Sequence, residues 1–291
     1  MSPRKNLIAL LVLPLAACAV GRAWATTDTL PRRVVTFAPN ITESVFALGA
    51  GDRVVGVSDF SQYPPEAATR KRCGGDINPS FEALLALKPD LILVEGRAEK
   101  IHDFCRDNKI PIVSLTMNSI ATIRSDLRLL GRTLGVTRTA TSLTLQIDAE
   151  LTSLRVDLPE AERPRVFLSI SRPEGAIGTL LTAGGGTFLD EITTLAGGKN
   201  IFADRREPYP LVSKETLVHR RPDIILELRP SETVDAARKK RLDADWAPLS
   251  SIPAVRNKRI IYLTQDYLLY AGPRVGQTAR ALRTALHPEF E

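Results

Sequence analysis

One sequence block occurs twice in this chain, and this repeat constrains the fold more than any other feature. Residues 80–93 read SFEALLALKPDLIL and residues 213–226 read SKETLVHRRPDIIL, so seven of fourteen positions are identical without a gap. A solenoid needs more stacked copies of its unit, whereas two copies in separate halves are typical of two related lobes. The repeat therefore predicts a chain built from two similar lobes.

Each copy has the pattern of a short helix, a turn and a buried strand. Ser80 and Ser213 are suited to cap the helix, and Glu82 and Glu215 fall in its first turn, where the helix dipole favours a negative charge. The Pro-Asp pair that follows ends the helix and directs the chain into an apolar strand. Helix-start placement alone explains both glutamates. Because both copies keep them, however, related lobes would also present two acidic spots on one molecule.

The rest of the sequence alternates strand and helix patterns on both sides of a helical stretch at 119–157. Such alternation is typical of a parallel sheet covered by helices. We therefore expect an α/β fold with two similar Rossmann-like lobes, each with a parallel sheet, joined by one long rigid helix. The expected boundaries are an N-terminal lobe at 33–135, a connecting helix at 136–158 and a C-terminal lobe at 163–288.

Residues 1–25 have the pattern of a signal peptide for export. A basic start precedes a short apolar run, and the motif AWA at 23–25 offers a cleavage site. The apolar run is too short to span a bilayer comfortably, and no second one follows. The motif LAAC at 15–18 also resembles a lipobox, in which Cys18 would carry a lipid. The sequence thus predicts a periplasmic protein, either released by cleavage near Ala25 or held through Cys18.

Charge and cysteine content narrow the function classes. The chain has 39 basic and 33 acidic residues, and without residues 1–25 the counts are 36 and 33, so the mature protein is nearly balanced. Its pI therefore gives no argument for nucleic-acid binding. Cys73 and Cys105 would lie in an oxidising compartment and could form one disulfide, although sequence does not show whether they meet. Two lone cysteines and three scattered histidines give no zinc-type cluster.

Five stretches of the chain resemble the cobalamin and iron-chelate binding proteins of ABC importers, the helical-backbone class of periplasmic receptors. They are RVVTFAPNITESVFALGAGDRVVGVSDFSQYPPEA (33–67), GGDINPSFEALLALKPDLIL (74–93), AGGGTFLDEITTLAGGKNIF (183–202), YPLVSKETL (209–217) and WAPLSSIPAVRNKRIIYL (246–263). The resemblance covers roughly residues 33–286 and is more specific for the class than for one ligand. It implies two α/β lobes joined by one helix, little lobe closure, and a metal-chelate small molecule bound between the lobes.

The resemblance also implies partners and site residues. In cobalamin-binding members, one glutamate on each lobe meets arginines of the membrane permease, at positions matched here by Glu82 and Glu215. The permease and its ATPase subunit are therefore the expected partners of a protein that we expect to be a monomer. By position, the residues expected to face the ligand are Phe60, Tyr63, Asp76, Glu95, Arg172, Tyr209, Asp266, Tyr267 and Tyr270.

Three ligands stay open within this class. Cobalamin-binding members often have Trp at the positions of Asp76, Glu95 and Tyr209, and only Tyr209 keeps an aromatic ring, which suits a flat macrocycle. Haem would need an axial ligand, for which tyrosine is the available type. A ferric siderophore would favour arginine and tyrosine, and Arg97 and Arg172 could supply the charge. A corrinoid is our first expectation and haem or a ferric siderophore the alternative, with no resident cofactor or metal.

An enzyme is the alternative from a different class, because paired α/β lobes also occur in enzymes. The sequence has no G-x-S-x-G, H-E-x-x-H or phosphate-loop motif. The run GGG at 184–186 precedes a helix and could hold an anion or form a flexible turn. His102, His219 and His287 lie far apart in the sequence. We therefore expect a receptor, with ATP hydrolysis carried out by a partner.

Overall fold

The computed structural model describes residues 30–290, so the expected signal peptide and Cys18 lie outside the described residues. The first lobe contains the strands β1 (Val34–Thr36), β2 (Val54–Val57), β3 (Lys71–Arg72), β4 (Leu91–Glu95) and β5 (Ile112–Leu115). The helices between these strands are α1 (Pro39–Ala47), α2 (Pro65–Ala68), α3 (Phe81–Leu87) and α4 (Glu99–Asn108). All strand pairs are parallel, in the order β3-β2-β1-β4-β5.

Two helices follow the first sheet, α5 (Ile120–Thr133) and α6 (Thr137–Ser153). They pack against each other, and α6 also packs against the last helix of the chain. The turn between them contains Gly135, whose φ of +69° favours glycine. Helix α6 lies inside the segment 136–158 that we expect to connect the lobes.

The second lobe is built around another parallel sheet. Its strands are β6 (Arg165–Ser169), β7 (Thr179–Leu181), β8 (Lys199–Asn200), β9 (Leu211–Ser213), β10 (Ile224–Leu228) and β11 (Ile260–Leu263), and its helices are α7 (Phe188–Leu195), α8 (Lys214–Arg220), α9 (Ala236–Trp246), α10 (Pro253–Arg256) and α11 (Val275–Leu286). The parallel order is β11-β10-β6-β8, and β7 pairs antiparallel with β9. The predicted α/β fold with two parallel sheets is confirmed. No helix in the described part of the chain is long and apolar enough to cross a membrane.

The two repeat copies adopt the same local structure. Ser80 and Ser213 each accept a hydrogen bond at 3.3 Å from the backbone N–H of the third helical residue, which is the capping geometry expected from the sequence. Helices α3 and α8 then both end at a residue in the left-handed conformation, Lys88 or Arg221. Side-chain capping and a left-handed stop define both ends of each short helix.

The structural repeat extends beyond the block that the sequence shows. The carboxylates of Asp90 and Asp223 accept hydrogen bonds at 2.9 Å from the backbone N–H of Arg33 and Arg165, at the start of β1 and β6. The guanidinium groups of these two arginines donate in turn to a carbonyl at the end of α3 or α8, at 2.6 and 2.7 Å. Each lobe thus attaches its helix to its central strand in the same way.

The two cysteines do not form the disulfide that the sequence left open. Cys73 and Cys105 are free thiols, both buried in the apolar cluster that packs against one side of the first sheet. There they act as small apolar side chains that fill space between strands and helices. Burial raises the pKa of both thiols to about 11, which keeps them protonated and unreactive.

Candidate functional site

The two lobes contact each other at the carboxyl ends of their parallel strands. Asn40, just after the end of β1, donates its side-chain amide to the carbonyl of Ala271 at 3.2 Å. Close to the end of β5, the carbonyl of Asn118 accepts a hydrogen bond from the backbone N–H of Phe188 at 2.8 Å. Open α/β sheets bind ligands outside the carboxyl ends of their strands. The region between these two edges, which we call the cleft, is therefore the candidate site.

A buried ion pair joins the two lobes beside the cleft. Arg274, immediately before α11, donates from Nε and Nη2 to the two carboxylate oxygens of Glu43 on α1, at 2.8 and 2.6 Å. Its Nη1 donates to both oxygens of Asp266 at 3.0 and 2.9 Å. The side chains of Arg274 and Glu43 are only 9% and 3% exposed. We call Glu43, Asp266 and Arg274 the joint triad, and its bidentate bonds fix the orientation of one lobe against the other.

Burial and charge act in opposite directions on the joint triad. Desolvation raises the pKa of Glu43 above its ordinary value, although the hydrogen bond and charge of Arg274 lower it in part. Burial by itself would lower the pKa of Arg274, but the bonds and charges of Glu43 and Asp266 outweigh it, so that pKa is raised. The arginine is therefore charged at every pH at which the protein folds.

Tyrosines surround the joint triad. The guanidinium carbon of Arg274 lies 3.9 Å from the ring centroid of Tyr63 and 5.4 Å from that of Tyr267. Tyr270 lies within electrostatic range of Asp266 and Arg274, and burial raises the pKa of both Tyr267 and Tyr270. Four expected ligand residues, Tyr63, Asp266, Tyr267 and Tyr270, are thus brought together around Arg274.

A second group forms around Glu95, at the end of β4. Burial raises the pKa of Glu95; the amide of Asn40, which donates to it at 3.2 Å, lowers that pKa, and the charge of Asp76 raises it. Tyr209 belongs to the other lobe, and its pKa is raised by burial and by the charge of Glu95. Asp76, Glu95 and Tyr209 therefore share one part of the cleft, and Asn40 links this group to the second lobe.

Three of the expected residues offer aromatic surface to solvent. Phe60, Tyr63 and Tyr209 are 66%, 43% and 38% exposed. The ring of Phe60 lies beside Gly75, next to Asp76 in the chain. Exposed rings of this size give a flat ligand a large contact area at low entropic cost.

Arg172 lies in a different environment from the other expected ligand residues. Its side chain is 1% exposed and pairs with Glu227 at 3.0 Å and with Asp245 at 2.8 Å. Glu227 also pairs with Arg229 at 2.6 Å and accepts a hydrogen bond from the indole N–H of Trp246 at 2.8 Å. The guanidinium group of Arg172 thus belongs to a buried polar network in the second lobe.

Sequence reasoning missed the residues that hold the lobes together. Asn40, Glu43 and Arg274 are not among the expected site residues, because their partners are distant in sequence. The structure buries Asn40 and Glu43 on α1 together with their neighbours, which no sequence motif indicated. Buried polar side chains need partners, so these two residues mark a contact with another part of the chain.

The glycine run before α7 serves to position a loop of the cleft. The backbone N–H groups of Gly184 and Gly185 donate to the carbonyls of Pro208 and Arg205 at 2.8 and 2.9 Å. These two donors are therefore occupied and do not hold an anion. The run packs instead against the loop that leads into Tyr209.

The histidines do not come together as a site. His102 Nε2 lies 2.8 Å from Ser114 Oγ, His287 Nδ1 lies 3.0 Å from a carboxylate oxygen of Glu289, and His219 is exposed. Within residues 30–290, no group of three or more His, Cys, Asp and Glu side chains is arranged to hold a metal ion.

Two α/β lobes, each with a parallel sheet, enclose a polar and aromatic cleft between the carboxyl ends of their strands. This arrangement defines a two-lobed ligand-binding protein. The family described as periplasmic binding protein matches residues 34–267, which is most of the chain. This chain belongs to the periplasmic binding protein family, and the resemblance noted in the sequence is confirmed. Its class is therefore that of a solute-binding transport protein and not of an enzyme.

Individual relatives cover nearly the whole chain. The chain is 31% identical to the vitamin B12-binding protein of Yersinia pestis (strain Pestoides F) over 278 residues, which cover 95% of this chain and 89% of the relative. The crystal structure of the periplasmic vitamin B12 binding protein of Vibrio cholerae has 26% identity and a TM-score of 0.73, covering 90% of this chain and 98% of that one. The apo periplasmic heme-binding protein from Roseiflexus sp. RS-1 has 27% identity and a TM-score of 0.73, covering 89% and 99%. Structural similarity alone therefore does not choose between vitamin B12 and heme.

Proposed function

We propose that this protein captures a corrinoid, a cobalamin-like ligand, in the cleft and delivers it to an ABC permease powered by its ATPase subunit. The observation that carries the choice of ligand is the charge of the cleft. Its two groups contain four carboxyl groups, those of Glu43, Asp76, Glu95 and Asp266, but one cation, Arg274, which is already paired. An uncharged macrocycle suits such a site, whereas an anionic ligand would lack a partner for its charge.

Haem and ferric siderophores remain the alternative ligands of the proposal, and two observations weigh against them. A tyrosine that holds haem iron binds it as the phenolate, and the pKa values of Tyr209, Tyr267 and Tyr270 are raised, which disfavours that form. The arginines expected to attract a siderophore are in neither of the two groups of cleft residues. Arg172 is paired in its buried network, and Arg97 lines a separate cavity beside His102.

A titration tests the choice of ligand. Residues 26–291 contain the compact unit that begins at Pro31, and Trp246 is the sole tryptophan in that segment. Cyanocobalamin, haemin and a ferric hydroxamate would each be added while the emission of Trp246 is recorded, and gel filtration would show which coloured ligand travels with the protein. We expect cyanocobalamin to co-elute at micromolar concentration. If only an iron chelate were retained, the corrinoid proposal would be refuted, but the assignment of the protein as a receptor would stand.

The two repeated glutamates are our proposed contacts with the permease. Glu82 and Glu215 are exposed in the first turn of α3 and α8, and a hydrogen bond from Ser213 lowers the pKa of Glu215, which stays charged. The double variant Glu82→Ala, Glu215→Ala should bind ligand normally but dock more slowly, since rim charges act mainly on the association rate. Glu66→Ala with Glu162→Ala removes two other exposed glutamates and is the matched control. Loss of ligand binding in the first pair would contradict the assignment.

For export, we propose removal of the first 25 residues or lipid attachment at Cys18. The periplasmic family supports export by either route. Mass spectrometry of the protein isolated from cells would separate the two: a chain that begins at Thr26 indicates cleavage, and a lipid-modified Cys18 indicates anchoring. An uncleaved N-terminus would refute both.

A further inference from the structure

A cavity of about 260 Å³ lies at the carboxyl ends of β6 and β10 in the second lobe. Leu269, one of its lining residues, belongs to the segment that also carries Asp266 and Tyr270, so the cavity adjoins the cleft. We call it the C-lobe cavity. Its polar lining includes Ser169, Arg172, Glu227, Arg229 and Glu232.

The wall of the C-lobe cavity is fixed by hydrogen bonds. Oε1 of Glu227 accepts from Nε of Arg229 at 2.7 Å and pairs with its Nη2 at 2.6 Å, while Oε2 accepts from Trp246. The side chains of Arg172, Glu227 and Arg229 are all almost fully buried. Several bonds therefore hold each charged group in one place.

Two donors in this wall have no partner. Nη2 of Arg172 and the hydroxyl of Ser169 are buried, and neither has a hydrogen-bond partner among residues 30–290. Nε of Arg172 lies 3.0 Å from Glu227 but is not aligned for a hydrogen bond. Buried donors without acceptors are unfavourable, so the cavity is suited to a group that supplies an acceptor.

The charge of the arginine is nevertheless already compensated. The connected ion pairs contain three cations, Arg172, Arg229 and Arg238, and four anions, Glu174, Glu227, Glu232 and Asp245. The exposed Arg241 interacts electrostatically with Glu174, and its positive charge brings the local net charge to zero. The cavity therefore offers hydrogen-bond donors without net positive charge.

A carboxylate and an amide would fare differently in this site. A carboxylate would gain the two hydrogen bonds but would also place a new negative charge near Glu227 and Glu232, with no unpaired cation to balance it. An amide carbonyl would accept the same bonds without adding charge. We propose that the C-lobe cavity binds a neutral carbonyl oxygen on the periphery of the ligand, as in a carboxamide, and rejects a carboxylate at the same position. This inference rests on the proposed function, whose ligand class it sharpens.

Two probes with the same ring test the inference. Dicyanocobinamide carries peripheral carboxamides, and dicyanocobyrinic acid carries carboxylic acids on the same corrin. Equilibrium dialysis at neutral pH would give their dissociation constants. We expect the wild-type protein to bind the amide probe about tenfold or more tightly than the acid, because the acid brings uncompensated charge.

Two variants locate this selectivity in the C-lobe cavity. Ser169→Ala removes one donor and should weaken the amide probe about fivefold, the effect of one neutral hydrogen bond. Asp245→Asn removes one negative charge and should tighten the acid probe about tenfold relative to the amide probe. Asp204→Asn, which alters an exposed ion pair with Arg220 in the same lobe, is the matched control. Emission from Trp246 and a thermal scan would establish that each variant is folded.

The outcomes distinguish a failure of the subsite from a failure of the proposed function. Wild-type selectivity for the amide, weaker binding of the amide probe to Ser169→Ala and tighter binding of the acid probe to Asp245→Asn would support the subsite. Equal affinity for both probes, or variants that match Asp204→Asn, would overturn the subsite while leaving the proposed function intact. If the wild-type protein binds neither corrinoid, the proposed function fails and the subsite fails with it.

Discussion

Replacement of Arg274 by glutamine should weaken the joint between the lobes more than any exposed substitution. The change removes the paired cation but leaves Glu43, whose side chain is 3% exposed, buried without it. Loss of one partner from a buried pair costs about 3–5 kcal/mol. For a chain of this size, about 2–4 °C of melting temperature corresponds to each kcal/mol. We therefore expect Arg274→Gln to melt about 6–20 °C below the wild type.

The size of this loss should depend on pH through Glu43. Burial raises the folded-state pKa of Glu43 above the ordinary value of 4.5, so this group contributes most to stability below 4.5 and less as pH rises through its folded pKa. Without Arg274, the hydrogen bond and the positive charge that lower this pKa are lost, and the pKa of Glu43 rises further. The deficit of the variant should therefore be largest near neutral pH and shrink as the pH falls toward 4.5, where Glu43 becomes protonated.

Thermal unfolding followed by circular dichroism would measure both effects. Arg280→Gln is the control, because Arg280 lies exposed on α11, the helix that follows Arg274, and pairs with Glu150. The double variant Glu43→Gln, Arg274→Gln should recover part of the loss, since it leaves no unpaired buried charge. An Arg274→Gln deficit equal to that of Arg280→Gln, or one that stays constant with pH, would refute the role given to the joint triad.

Cys73 and Cys105 should react with a thiol reagent only after unfolding, because burial raises the pKa of each thiol to about 11. If a reductant lowered the melting temperature of the protein, that result would instead reveal a disulfide. Gly184→Ala should lower the melting temperature and weaken ligand binding, because a Cβ there would lie 2.1 Å from the carbonyl oxygen of Glu207 and displace the loop that packs on the glycine run. We expect a cost of about 1–3 kcal/mol for this overpacking. Gly178→Ala, where a Cβ meets nothing within 4 Å, is the control, and an equal effect of both changes would contradict the packing argument.

The features that sequence predicted well are local ones. The capping by Ser80 and Ser213, the short helices and the strands that follow depend on residues a few positions apart, so each repeat copy carries enough information for its own structure. The two parallel sheets followed from the alternation of such units. The extension of the repeat to Arg33 and Arg165 was invisible because those arginines bond to residues more than fifty positions away.

The candidate site was less predictable because its contacts join distant parts of the chain. Position within a resembling family indicated Tyr63, Asp266 and Tyr267, and the structure gathers these around a residue that no motif marked, Arg274. Arg172 was expected to face the ligand by its position and, for a ferric siderophore, to supply positive charge. That charge is instead balanced by acids such as Glu227, which lies in the fully buried strand β10, where a sequence pattern suggests only apolar packing.

Charged groups are thus buried both at the contact between the lobes and beside the cleft. Stability alone does not account for their burial. Apolar residues in place of a buried ion pair often leave a protein as stable or more so. An apolar contact between the lobes would not fix their relative orientation. Bidentate bonds such as those of Arg274 to Glu43 do, because they allow one relative placement of the groups that they join. A receptor for a rigid macrocycle gains from this, since a cleft whose walls are already placed loses less entropy on binding. Weakening the joint triad should therefore reduce ligand affinity even at temperatures where the variant is fully folded.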